Sequence, residues 1–152
     1  YEELGTTRDV VQNHLLQVLA ILTMEPPVGI TTEAIRDERV KVLRALRPAE
    51  RQPIVRGQYR GYRDEKGVNP QSDVETFVAL KLHVDSWRWG GVPIHIRAGK
   101  SLPATATEVL AVLREPPQKI FDERAPIATN YVRFRLGPER IEIALGARAK
   151  QA

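Results

Sequence analysis

Residues 76–86 read TFVALKLHVDS, and their alternation decides the fold class. In a β-strand successive side chains point to opposite faces, so residues two apart share a side. Val78, Leu80, Leu82 and Val84 fall on one face, and Lys81, His83 and Asp85 on the other. One side meets a core and the other meets solvent, which is how a half-buried antiparallel strand reads. VPIHIRAGK, residues 92–100, repeats the pattern, with Ile94 and Ile96 opposed to His95 and Arg97.

Toward the C-terminus the period stays at two. YVRFRL (131–136) and IEIALGA (141–147) alternate, with GPER between them as the connection. TEVLAVLRE (107–115) is apolar on both faces and is expected as a central strand. PPQKIFDERAPIATN (116–130) reads as a linker, IVRGQY (54–59) as a strand, and the polar, glycine-containing run 60–73 as a loop. No helical pattern separates the strands after residue 74. Parallel pairing needs such a crossover, so antiparallel pairing is expected.

Toward the N-terminus the period changes to that of a helix. In TTRDVVQNHLLQVLAIL (6–22), Val11, Leu15, Val18 and Leu22 recur at helical spacing. Val10, Leu16, Leu19 and Ile21 widen the stripe. Thr6 or Thr7 is expected to cap this helix, with Asp9 completing a capping box, and Pro26 and Pro27 to stop it. A second helix follows in TTEAIRDERVKVLRALRP (31–48), capped by Thr31 or Thr32, with Glu33 in its first turn and Pro48 at its end. The expected fold is α+β, one domain over residues 1–152, with helices packed on one face of a mostly antiparallel β-sheet.

Composition excludes several classes. Apolar residues make up 42% and charged residues 28%, a globular balance rather than a disordered one. No apolar run approaches the roughly 20 residues a bilayer span needs. With no cysteine there is no disulfide and no thiolate metal site. The net charge of +4 is mild and fits either anionic partners or an ordinary solvated surface.

Three positions stand out chemically. His14 lies at the edge of the apolar stripe, where an imidazole serves either as a general base or as a packed histidine bonded to backbone. Asp9 is five residues earlier, about 140° around an α-helix, so the two do not stack. Its carboxylate suits either a ligand at the helix N-terminus or the helix cap itself. Lys100 follows Gly99 at a strand end, as a compact charge for a phosphate or sugar hydroxyl or as an exposed lysine. Arg133 and Arg135 share one face of YVRFRL, a small footprint for a nucleic acid. No dinucleotide loop, P-loop, nucleophile elbow or histidine metal spacing is present.

These stretches together carry a resemblance. RDVVQNHLLQVLAILTMEPP (8–27) resembles the signature helix of glucose-6-phosphate dehydrogenases, which reads close to R-D-x-x-Q-N-H-L-L-Q followed by Met-Glu-x-Pro. The likeness continues through IRDERVKVL, GQYRGY, TFVALKLHVDSWRWGGVPIHIRAGKSL and TEVLAVL. That family oxidises the C1 hydroxyl of glucose 6-phosphate to the lactone with hydride transfer to NADP. The resemblance implies that His14 is the catalytic base and that Asp9 and Lys100 contact the substrate. It also implies a cytoplasmic homodimer or homotetramer formed through the β-sheet, with no nucleic acid and no membrane. NADP is expected to be bound mainly by an N-terminal domain outside this sequence, so the chain is expected to be part of a longer enzyme and inactive alone. Where many members have another basic residue after the Gly-Lys, this chain has Pro103, Ala104, Thr105 and Ala106. Two other classes are set against this: a non-catalytic oligomerisation or regulatory module of the same descent, and a basic sheet surface that binds anions or nucleic acid.

Overall fold

The computed structural model describes residues 2–47, 54–115, 129–137 and 140–146. They fall into two compact units, residues 1–101 and 102–152. The expected antiparallel strands are present, distributed over two three-stranded sheets.

In the first unit a π-helical segment, Thr7–Leu15, runs directly into α1, Leu16–Thr23, and α2 spans Thr32–Arg44. The cap of α2 forms as the sequence implies. Thr31 is extended, and its hydroxyl accepts the Ala34 N–H at 3.2 Å. The helix ends at Arg44, ahead of Pro48, which lies outside the described residues. The cause is a competing partner. Leu46 forms a β-bridge with Val84, and Arg47 N–H donates to His83 O at 3.0 Å, so the chain is drawn to the sheet.

That sheet has the order β1-β2-β3, from Ile54–Gly57, Phe77–Leu82 and Ile94–Gly99. Register sets Val78 opposite Ala98, Leu80 opposite Ile96 and Leu82 opposite Ile94, so all six share a face. The helices cover this face in two clusters. One joins Val11, Val78 and Ala98; the other joins Ala20, Val42 and Val84, with Trp89 and Ile94 alongside. The Trp89 indole N–H donates to Thr23 O at 2.8 Å, satisfying its one polar group at the end of α1. The opposite face carries Val55, Lys81, His95 and Arg97, as the alternation requires.

The run 60–73 is a loop, as expected, but it is not featureless. A 3₁₀ turn, Tyr62–Asp64, buries Tyr62, whose ring meets Tyr59 edge-on at 5.4 Å and whose hydroxyl donates to the Glu2 carboxylate.

The second unit contains β4 (Glu108–Val112), β5 (Tyr131–Leu136) and β6 (Ile141–Gly146), in that spatial order. Here the sequence reading needs correction. Among the described residues β5 is the central strand and β4 pairs only with it, leaving Leu110 and Val112 exposed. Apolarity on both faces of a strand does not fix its place in a sheet. Register sorts Val109, Ala111, Val132, Phe134, Leu136, Ile141, Ile143 and Leu145 onto one face, all apolar. The expected linker lies largely outside the described residues.

Candidate functional site

The segment carrying Asp9 and His14 is not α-helical. Its nine residues follow the wider π ladder, and the Leu16 N–H at its end donates to Val11 O, five residues back. Residues five apart in a π ladder are one hydrogen-bonded turn apart, as residues four apart are in an α-helix. Asp9 and His14 therefore stand on adjoining turns of one side, and the 140° separation expected of an α-helix does not apply. His14 is exposed and Asp9 half-buried, with Gln12 and Asn13 exposed beside them. Val11, at 4% exposure, is the buried residue that seats the segment on Val78 and Ala98.

The start of this helix also differs from the expected capping box. Thr6 is itself in the helical region and makes no side-chain cap bond. Its N–H and its hydroxyl both donate to Glu75 O, at 3.0 and 3.1 Å, and the residue is fully buried. The Thr7 N–H donates to Glu75 Oε1 at 3.0 Å. Donors that a local cap would satisfy are thus taken by a residue distant in sequence. Gly5 makes room for this. It sits at φ +67°, and a Cβ there would lie 2.7 Å from Glu75 Oε2. Burial works to raise the Glu75 carboxyl, but hydrogen bonding at Thr7, helped by the Glu75 backbone and the charge of Arg56, outweighs it and holds the group below the usual glutamate value. The ionised form also suits the positive end of the helix dipole.

Lys100 follows β3, whose Ala98 packs against Val11, so the strand end and the π-helical segment are neighbours. The Lys100 N–H donates to Thr76 O at 2.9 Å. Gly99 is required by close approach, because a Cβ there would lie 2.9 Å from the Phe77 ring and 3.1 Å from Thr76 O. Ser101 then turns the chain at φ 54°. The Lys100 side chain is exposed. The structure thus brings Asp9 and His14 onto one helical side and sets the strand end with Lys100 next to it.

Other candidates are not supported as sites. Arg135 lies in cross-strand register between Glu108 and Glu142, so two carboxylates flank it and the sheet presents no basic stripe there. Among the described residues no group of three acidic or histidine side chains could hold a metal. No helix among them is long and apolar enough to cross a membrane.

Comparison with known proteins bears on this geometry. The family model described as "Glucose-6-phosphate dehydrogenase, C-terminal domain" matches residues 1–152. The chain belongs to the glucose-6-phosphate dehydrogenase family. It is 49% identical over 140 residues to glucose-6-phosphate 1-dehydrogenase 1 of Mycobacterium bovis, covering 91% of this chain and 30% of that protein. The crystal structure of glucose-6-phosphate 1-dehydrogenase from Mycobacterium avium superposes with a TM-score of 0.89 at 44% identity, over 99% of this chain and 34% of that one. A glucose-6-phosphate dehydrogenase solved in complex with its substrate glucose 6-phosphate matches with a TM-score of 0.78 at 39% identity, over 90% of this chain and 29% of that one. The chain therefore spans about a third of the length of these family members.

Within this family member, sequence reasoning missed Glu75 and Thr76. Their local signal is slight: both precede a strand, and nothing in DVETF announces a tie to a helix. The one available hint was Gly5, a glycine directly before a helix start, where a left-handed residue or close packing often lies.

Proposed function

We propose that this chain supplies the substrate side of a glucose-6-phosphate dehydrogenase, which oxidises the C1 hydroxyl of glucose 6-phosphate to 6-phosphoglucono-1,5-lactone with NADP as hydride acceptor. The observation that carries this reading is the π register, which sets Asp9 and His14 on one side of a helix seated beside the Lys100 strand end. In this reading the imidazole of His14 takes the C1 hydroxyl proton as C1 is oxidised, a general-base role. The Asp9 carboxylate accepts hydrogen bonds from sugar hydroxyls. The Lys100 ammonium meets the anionic substrate as a point charge.

The described residues do not fit an NADP site. No strand, glycine-rich loop and helix succeed one another, and both sheets are antiparallel, whereas dinucleotide folds of that kind are built on parallel βαβ units. The coenzyme supplies the hydride acceptor, and in this reading its binding falls mainly to an N-terminal domain outside this sequence. Activity is accordingly a property of the full-length protein, and the isolated chain is expected to be inactive. The apolar face of the second sheet supports a further element of the proposal, self-association as a homodimer or homotetramer. Ile141, Ile143 and Leu145 there are 71%, 65% and 73% exposed, more apolar surface than a solvated sheet face normally shows.

The test is kinetic, on the full-length protein with glucose 6-phosphate and NADP. His14→Ala is expected to lower kcat by about 10²–10⁴ with little change in KM, the range for loss of a general base. Lys100→Ala is expected to raise KM for glucose 6-phosphate by about 10–100-fold, as for one charge-assisted hydrogen bond. A His14→Ala enzyme with unchanged kcat overturns the assignment, and turnover by the isolated chain overturns the division of labour.

A further inference from the structure

The two segments proposed to meet the substrate are far apart in sequence, and one dipeptide ties both. On one side Glu75 takes the N–H and hydroxyl of Thr6 on its carbonyl and the Thr7 N–H on its carboxylate. On the other, Thr76 O accepts the Lys100 N–H at 2.9 Å. Thr76 is fully buried and held in turn: its N–H donates to Gly57 O at 2.9 Å, and its hydroxyl accepts the Tyr59 N–H at 3.0 Å. Glu75–Thr76 is therefore a rigid bridge between the start of the π-helical segment and the end of β3.

We propose that Glu75 is a positioning residue whose carboxylate holds the first turn of the π-helical segment and so sets Asp9 and His14 against Lys100. This rests on the proposed function. Three observations support it. π-Helices occur mostly as single turns, so a nine-residue run draws on interactions outside itself, and Glu75 supplies them at its first residues. The carbonyl bonds to Thr6 are open to any residue at position 75, but the bond to Thr7 needs a side-chain acceptor of this length. Gly5 leaves vacant the volume that this carboxylate fills, so the choices at positions 5 and 75 belong together. Misplacing a catalytic group by about 1 Å can cost about 100-fold in rate, which gives such an anchor leverage it would lack elsewhere.

The experiment compares Glu75→Gln, Glu75→Asp and Glu75→Ala in the full-length enzyme, with His14→Ala alongside. Activities are taken well below each variant's melting temperature and normalised to folded protein. Glutamine keeps an acceptor oxygen at the same reach and is expected to retain most of the activity. Aspartate keeps the charge but not the reach. It is expected, with alanine, to lose about 10–100-fold in kcat/KM for glucose 6-phosphate, with KM for NADP unchanged. Amide hydrogen exchange should quicken in Glu75→Ala across residues 6–15 while β2 and β3 stay protected, a readout independent of turnover. Wild-type kinetics in Glu75→Asp, or loss in Glu75→Gln equal to that in Glu75→Ala, overturns the inference. If His14→Ala is also unimpaired, the proposed function itself has failed; if His14→Ala is inactive while the Glu75 variants are normal, only the positioning role has failed.

Discussion

Val78→Ala tests the seat of the π-helical segment directly. Val78 is fully buried at the centre of the cluster with Val11 and Ala98, on the middle strand of its sheet. The substitution removes two methyl-sized groups, about 1.6 kcal/mol of transfer free energy at about 0.8 kcal/mol each. Its neighbours belong to a helix and two strands whose backbones are fixed by hydrogen bonds, so the space closes only in part. A cavity contribution brings the expected loss to about 2–3 kcal/mol. Val55 provides the control. It makes the same chemical change on the same sheet, but it lies on the opposite face and is 61% exposed. Val55→Ala is expected to cost about 0.5 kcal/mol or less, and the comparison removes much of the strand-propensity difference between valine and alanine. Urea unfolding followed by tryptophan fluorescence suits the measurement, because both tryptophans of this chain, Trp87 and Trp89, lie in the first unit. A Val78→Ala midpoint within error of wild type, or equal losses for the two variants, would refute the assignment of the core face.

Glu75 predicts a pH dependence. Its folded-state pKa is depressed, so its contribution is present above the unfolded value near 4.5 and is lost as pH falls through the folded value. The melting temperature of wild type should therefore drop relative to Glu75→Gln as pH is lowered below about 4.5, and a constant difference would contradict the Thr7 contact. Trp89→Phe keeps most of the packing but removes the indole donor to Thr23 O, and urea titration should show a loss of about 0.5–1.5 kcal/mol. Ile143→Lys places a charge on the apolar face of the second sheet, and light scattering of the full-length protein should show a smaller assembly; an unchanged mass would remove that face from the interface.

Much of the first unit was legible because its signals are local and periodic. Alternation in TFVALKLHVDS and VPIHIRAGK identified two strands and the core-facing set Val78, Leu80, Leu82, Ile94 and Ile96, and the structure pairs them across register. The cap at Thr31 was readable for the same reason: a hydroxyl and the N–H it accepts are three residues apart. The end of α2 was not, because Pro48 marked only the last residue a helix could reach. The bridge from Leu46 to Val84, a contact across the fold, ended it sooner. The place of β4 failed on similar grounds, since composition reports burial tendency and not neighbours.

The candidate site divides along the same line, between what residue type suggests and what only the fold sets. Asp9, His14 and Lys100 were picked out by residue type and by resemblance, but the relation between the first two was read with the wrong helical period. Val11, Leu15 and Val18 satisfy an α spacing, and nothing in that pattern signals that the ladder over Thr7–Leu15 runs to the fifth residue. The information lies at Glu75, which takes the first amides of the segment, and at Gly5, which lets it approach. A feature that sets the angle between the two candidate side chains, Asp9 and His14, is thus specified from outside the helix that carries them. Substitutions at positions 5, 75 and 76 can therefore alter the site without touching any residue that the signature helix would nominate.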